Sequence, residues 1–403
     1  MFGDLHIHSR FSRACSKNID FKNLVKWARV KGLHLLGTGD FTHPIWMNEI
    51  KDKLEDRGNG FYYYDDFPFV ISGEVSLIYT QERGRKVHLV LLVPSIEVAE
   101  KINSYFDSKG RRDYDGRPIF KISCEQFVKD MMEISSEIEV IPAHIWTPYF
   151  GVFGSMSGFD SLKEAFGSQV GNIHAIETGM SSNPEMNWKI SELSNISIVS
   201  FSDSHSFWPF RLGREATIFK KCDSYSEILR QIRENDFIGT IEVNPAYGKY
   251  HFDGHADCCF SCDCNETKKL NGICPKCGKK LTLGVDYRVE QLKNNSDDFK
   301  PLNAKMSFEI LPLHEIISLC FGVGMNSKKV WNIYNNLIEL FENEFNVLLN
   351  VSREDFIKKG IDAKLIELIL KNRSENITVK PGYDGVYGQA LIEEKLDKQI
   401  TLN

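Results

Sequence analysis

Nowhere in the 403 residues is there an apolar run long enough to cross a bilayer. Met1 leads straight into a strand-like segment rather than a charged and apolar leader, so the chain is expected in the cytoplasm and away from membranes. It also lacks a surplus of positive charge. A formal net charge of −6 excludes blanket electrostatic affinity for nucleic acid, although a local basic groove stays compatible with it. Cysteine is sparse until late in the chain, where the residues cluster at Cys-x-x-Cys spacing; in a reducing compartment that spacing means metal before disulfide. What is present is ordinary for a soluble globular protein, 42% hydrophobic and 26% charged residues, in a chain long enough for two or more domains.

The chain is organised around Asp4-Leu5-His6-Ile7-His8. On an extended strand His6 and His8 point to the same face and form a pincer for a divalent metal. The next segments repeat one pattern, a short apolar strand that delivers a ligand residue. Leu33 to Thr38 leads to Asp40, and Phe69 to Ser72 to Glu74. Val87 to Val93 carries His88, Glu139 to Ala143 leads to His144, Ile173 to Ile176 to Glu177, and Ile196 to Phe201 to Asp203 and His205. Amphipathic helices alternate with these strands, the first capped by Asp20. The alternation predicts parallel strands with helical crossovers and chemistry at the strand carboxyl ends. A single His or Asp past a strand is usually a turn cap. So many unpaired ligand-type residues at one mouth would be costly unless a cation coordinated them.

A second module opens at Tyr247 and holds His251, His255, Cys258, Cys259, Cys262 and Cys264, then Cys274-Pro275-Lys276-Cys277-Gly278. The last run is a zinc-knuckle pattern. Its partner pair is either His255 with Cys258 or Cys259 with Cys262, which share the two-residue gap. Lys268, Lys269, Lys276, Lys279 and Lys280 around it are a solvated face or a phosphate-contacting one. Asn294 to Asn303 reads as a linker. Two helices then flank Phe321-Gly322-Val323-Gly324-Met325-Asn326-Ser327, with Lys328 and Lys329 in the first turn of the second. Glycines ahead of a helix start suit a phosphate at exposed amides, in the manner of a helix-hairpin-helix. A weaker copy is expected from Phe356 to Lys371 around Gly360. Pro381-Gly382-Tyr383-Asp384-Gly385-Val386-Tyr387-Gly388 closes the ordered pattern, either by packing back or by stacking on a nucleotide.

The opening His6-x-His8, the acid Asp40, Glu74, His88, His144 and the closing Asp203-Ser204-His205 resemble the PHP (polymerase and histidinol phosphatase) family of metallo-phosphoesterases. Gly37 to Pro44, Ile176 to Ser182, Phe201 to His205 and the closing Pro381 to Gly388 motif resemble its endonuclease Q branch over nearly the whole chain. The resemblance implies an α/β fold: a distorted parallel (β/α) barrel over residues 1–245, a zinc-binding module over 246–292, a helical DNA-binding region over 303–375, and a C-terminal segment over 376–403. It implies two or three divalent metals, zinc, manganese or magnesium. His6, His8, Glu74 and Asp203 would hold one, Glu74, His88 and His144 the second, and Asp40 with His205 a third. Phe41 and the lack of a further His soon after His8 depart from the commonest pattern. The family's spacing favours His255, Cys258, Cys274 and Cys277 for one structural zinc.

The implied activity is hydrolysis of the phosphodiester 5′ of deaminated bases (uracil, hypoxanthine, xanthine) or abasic sites in double-stranded DNA. Asp203 is then the acid nearest the nucleophilic water. Glu177, Ser181, Lys328 and Lys329 are candidates for substrate contact, and Arg83, Arg85, Lys86, Arg111 and Arg112 are phosphate contacts or plain surface. A sliding clamp or other repair proteins are a further class of partner. Two rivals stand beside this reading. A small-molecule phosphatase of the same family leaves the late modules without a purpose, and a non-catalytic DNA-binding protein leaves the His/Asp/Glu set unexplained.

Overall fold

The computed structural model describes residues 1–391. Strand β1 (Phe2–Asp4) leads to helix α1 (Phe21–Lys31), where Asp20 accepts the Asn23 N–H at 2.7 Å as the helix cap. The helix buries Leu24, Val25 and Ala28, and β2 (Leu35–Gly37) returns parallel to β1. Next come β3 (Phe67–Gln81), parallel to β2, and β4 (Arg83–Val93), antiparallel to β3 along its whole length. Then β5 (Glu139–Pro142) pairs antiparallel with β4, and β6 (Ala175–Glu177) pairs parallel with β7 (Ser197–Val199). Strands β8 (Ala216–Ile218) and β9 (Gly239–Glu242) add antiparallel beyond β1, and β10 (Met306–Glu309) closes the edge parallel to β9.

With the short strands Glu55–Asp56, Tyr62–Tyr64 and Ile119–Phe120 the result is a mixed eleven-stranded sheet with helices packed around it and β6–β7 apart as a pair. The alternation of strands and helices predicted parallel neighbours throughout. Among the numbered strands four pairings depart from this, since β5, β8 and β9 also join antiparallel. The longest has a plain cause, for β3 turns straight into β4 at Glu82, which adopts φ +59°, and the two form a long hairpin with no crossover helix. Glu74 therefore sits in the middle of a fifteen-residue strand, not past the end of a short one. Single links join the pair to its neighbours: Ile145 N–H donates to Glu177 O at 3.1 Å, and Ile7 bridges Ser204. One apolar cluster draws Leu5, Leu35, Val70, Val90, Ile141, Ala175 and Val199, each on or next to a different strand.

The helical region is bound into this body. It comprises α2 (Leu313–Phe321), α3 (Lys328–Phe341), α4 (Glu344–Leu349), α5 (Arg353–Lys358) and α6 (Ala363–Arg373). Lys31 of α1, 1% exposed, donates to Glu344 Oε1 at 2.7 Å and to Pro209 O at 2.9 Å. Glu344 also accepts the Leu313 N–H and the Tyr334 hydroxyl. The expected linker is pinned as well, since Asn294 and Asn295 N–H both donate to Lys189 O at 3.0 Å.

A buried ion pair is costly to break because one charge is left without a counter-ion. Lys31→Met should therefore lower stability to urea by about 3 kcal/mol, and Lys31→Met with Glu344→Leu should recover most of that loss. Equal stability of the single variant and the unaltered chain would show that the pair does not hold the helical region down.

Candidate metal centre

Strand ends and tight backbone bring the site together. His6 and His8 follow β1, and Asp40 follows β2 with φ +43°. His144 follows β5 with φ +31°, and Asp203 follows β7 with φ +47°. Non-glycine residues rarely occupy this left-handed region, so three of the site residues are held in strained backbone by their surroundings.

Glu74 lies at the centre. Its Oε2 is 3.7 Å from His6 Nε2 and 3.4 Å from His8 Nε2, while its Oε1 is 2.8 Å from His88 Nδ1 and 3.1 Å from His144 Nε2. Asp203 Oδ1 is 2.9 Å from His8 Nε2 and 3.7 Å from His6 Nε2. Two ligand sets result, His6-His8-Glu74-Asp203 and Glu74-His88-His144, each with its donor atoms within 4.8 Å of one another. They share Glu74, one oxygen to each. His6 Nε2 is buried without a hydrogen-bond partner, as a nitrogen reserved for a cation would be. Imidazole nitrogens with carboxylate oxygens suit zinc, manganese or a similar divalent ion.

The structure brings together the residues that the sequence reading grouped in these two sets. Asp40 and His205 join neither set among the described residues. Asp40 Oδ1 is 3.0 Å from His8 Nδ1, and its Oδ2 accepts from Ser9 N–H, Ser9 hydroxyl and Ser12 hydroxyl, so it orients the His8 ring. Glu177, expected to meet substrate, is fully buried and plays the matching part for His6: Oε1 lies 2.8 Å from His6 Nδ1 and Oε2 accepts the His144 N–H. His205 is partly exposed beside Asp203, and its ring packs 4.5 Å from that of His8.

Sequence reading missed Arg117, whose Nη1 donates to Glu74 Oε2 at 2.9 Å. No periodicity marks it. The neighbouring Gly116 was the available signal, for a Cβ there would lie 2.2 Å from Asp40 Oδ2 and 2.3 Å from Ser12 Oγ. Of the arginines that were singled out, Arg85 is buried against Glu164, and Arg111 and Arg112 pair with Asp113 and Asp107.

The electrostatics are those of a cation site. Burial opposes ionisation of Glu74, but His88, Arg117 and His6 outweigh it and hold the carboxyl well below its usual range. Burial likewise pushes the His6 and His8 rings down, and is outweighed by Glu177 and Glu74 for the first and by Asp40 and Asp203 for the second, so both stand well above the usual range. His88, where burial wins, falls to about 4.

The second module gathers the other group of ligand-type side chains. Asp253–His255 and Phe260–Cys262 form a small hairpin, and His255, Cys258, Cys274 and Cys277 converge with donor atoms within 4.8 Å. Gly278 N–H folds back to Cys274 O at 2.9 Å, the turn of a zinc knuckle. Cys259 is exposed and outside the set, and Cys262 Sγ lies against the Thr267 hydroxyl at 3.2 Å. The Pro381–Gly388 motif packs back: Gly382 and Gly388 N–H donate to Ala246 O and Tyr247 O, and Phe252 N–H to Gly382 O. In the α2–α3 turn Gly322 takes φ +63°, Ser327 caps Val330 N–H, and Lys328 and Lys329 lie exposed. The expected weaker copy is the α5–α6 turn, with Gly360 at φ +70°. A cavity of about 520 Å³ opens beside the centre, lined by Met180, Arg211, Arg214, Tyr247, Glu315 and Tyr387 among others. Arg214 Nη2 donates to Ser202 O at 3.1 Å, one residue from Asp203.

Comparison with known proteins places this geometry. Residues 312–376 match the family model described as MJ0043 C-terminal domain. The chain is 30% identical over 286 residues to protein MJ0043 of Methanocaldococcus jannaschii, covering 70% of this chain and 34% of that one. The chain thus spans about a third of that relative's length. It is 25% identical over 411 residues to YqxK of Bacillus subtilis, covering 96% of this chain and 98% of that one. The structure is similar to the lesion-specific endonuclease PfuEndoQ from Pyrococcus furiosus, with a TM-score of 0.88 and 29% identity over 98% of this chain and 96% of that one. It is equally similar to Endonuclease Q in complex with a 27-mer duplex carrying an abasic lesion at the active site, again TM-score 0.88 and 29% identity, over 100% and 99% of the two chains.

Two outcomes follow from the site. Glu74→Ala should abolish divalent-metal uptake at both ligand sets in metal analysis, whereas His88→Ala should spare the His6-His8-Glu74-Asp203 set. Uptake should weaken as pH falls, because the raised His6 and His8 keep their protons to higher pH than usual and a cation must displace them. Undiminished metal in the Glu74 variant would break the bridging assignment. In the second module, Cys274→Ser should cost one zinc per chain and lower the melting temperature, since structural zinc supplies folding energy; unchanged zinc content would remove the knuckle.

Proposed function

We propose that this chain is a metal-dependent DNA repair endonuclease that hydrolyses a phosphodiester beside a base lesion in duplex DNA. We propose too that the ring of strands whose inner residues run from Leu5 to Val199 is a distorted barrel, with the ligand residues at its mouth. The observation that carries the reading is the pair of ligand sets sharing Glu74, set beside a cavity, in a chain that matches a lesion-specific endonuclease along its whole length. Divalent ions held there would polarise the phosphodiester, lower the pKa of a bound water and offset the charge on the departing oxygen.

The chain's own residues supply the rest. Arg117, beside Glu74, presents a permanent cation at the centre for a phosphate oxygen. His205 Nδ1–H donates to Asp203 O at 2.9 Å, which leaves Nε2 as the acceptor. Burial and the adjacent His8 hold this ring below its usual pKa, so it is neutral near pH 7 and can take a proton at Nε2. Asp203 and Glu74 fix the ligand rings, and Asp40 and Glu177 fix the far nitrogens of His8 and His6.

The cavity is a fitting place for a base turned out of the helix. Deamination exchanges an amino donor for a carbonyl acceptor. Arg211 and Arg214 carry donors only, so they would satisfy the carbonyl of uracil, hypoxanthine or xanthine and leave an amino group unpaired. An abasic sugar presents no base to reject. The exposed Lys328, Lys329 and the Gly322–Gly324 turn would hold backbone phosphates, and Ser181, half-buried beside the cavity-lining Met180, would lie near the strand.

The test uses labelled duplexes bearing uracil, hypoxanthine or an abasic site. The intact chain with a divalent metal should nick each on the 5′ side of the lesion and spare the undamaged twin. Asp203→Ala should cut at under about a hundredth of that rate while keeping the fold, since losing a ligating acid disturbs the metal. Brisk hydrolysis of histidinol phosphate with lesion DNA left intact would make the chain a small-molecule phosphatase instead.

A further inference from the structure

A second cavity, about 460 Å³, plays no part in the reading above. Its walls come from the two loops that carry the first centre. Arg10, Lys17 and Asn18 follow His8, and Phe207 and Trp208 follow His205. The loops are tied together by Ser16 N–H donating to His205 O at 3.1 Å. Helix α1 supplies the remaining wall with Lys26 and Trp27.

The composition is unusual for plain surface. Trp208 is 36% exposed, and its ring lies 5.2 Å from Trp27, 4.8 Å from Phe207 and 5.3 Å from Trp331, so it is propped as a rigid platform. The Lys26 ammonium sits 4.9 Å from the Trp27 ring. Among the described residues Lys17 and Lys26 have no carboxylate partner, whereas Arg10 is paired with Glu49. The one acid in the lining, Asp20, is spent on capping α1. Two unpaired cations beside propped indoles match what a single strand needs, a charge for its backbone and a flat face for an unpaired base. A duplex, with its bases already stacked, could use only the charge.

We propose that this groove binds a single-stranded stretch of DNA running away from the metal centre, stacking one base on Trp208 and setting its phosphates against Lys17 and Lys26. This rests on the reading of the chain as a DNA endonuclease. The strand that enters the groove would be the one being cut, frayed where the lesion has removed or extruded its pairing. The groove would thus hold one flank of the scissile phosphate in register.

Tryptophan fluorescence with oligothymidylate tests this without cleavage. The full chain should be quenched by the oligonucleotide, with affinity falling as salt rises. Lys17→Glu with Lys26→Glu, both surface changes, should weaken binding at least tenfold and flatten the salt slope, since each phosphate contact of a single strand adds about 0.7 to it. Trp208→Ala should weaken it and Trp208→Phe should restore it; circular dichroism identifies a misfolded variant, and the lysine pair then decides alone. Nicking of lesion duplexes by the same chains separates the two ideas. Quenching lost in the variants while the intact chain cuts no DNA would keep the groove and sink the endonuclease. Cutting by the intact chain, with oligothymidylate bound equally by all variants, would overturn the groove and keep the enzyme.

Discussion

A single buried carboxylate sets the terms for the rest of the molecule. Glu74 stands where three imidazole nitrogens, a fourth at longer range and the Arg117 guanidinium converge. Burying an anion is expensive, and only this density of positive and ligand groups offsets the cost. The long hairpin of β3 and β4 follows from that requirement. It carries Glu74 and His88 on facing strands, with Glu74 opposite Val90 and His88 opposite Ser76, deep in the sheet and shielded from water. The neighbouring elements then have to deliver their own side chains to a point they do not choose.

Much of this was legible in the chain. His6 and His8, Glu74, His88, His144 and Asp203 announce themselves by residue type in or beside apolar runs, and the structure brings their donor atoms together in two groups. It also brings together His255 and Cys258 with Cys274 and Cys277. What was not legible depends on orientation. Nothing in local sequence says that Asp40 turns its oxygens to His8 Nδ1 and a pair of serines, or that Glu177 faces inward to His6. Arg117 arrives from a loop with no period to read. The antiparallel β3–β4 pairing was hidden for a similar reason, since an apolar run looks the same whether a hairpin or a crossover follows it.

The late modules are bound closely into the first region. Strand β10 extends the sheet of the first region, and Lys31 reaches into the helices to meet Glu344. The Pro381–Gly388 motif stitches the start of the cysteine-rich module to the wall of the larger cavity through Ala246, Tyr247 and Tyr387. The helical turn, the knuckle and the metal centre are thereby held in one frame, which is what contact with several points of a stiff duplex demands.

The left-handed backbone at Asp40, His144 and Asp203 has a consequence for how such a chain can change over generations. At each of these positions glycine would relax the main chain and aspartate or histidine would strain it. Drift toward greater stability therefore leads away from a working centre, one position at a time. The large apolar interior is the reserve that lets the strained residues persist. Lineages that lose the chemistry but keep the fold would be expected to shed these three side chains first, and to become sturdier as they do.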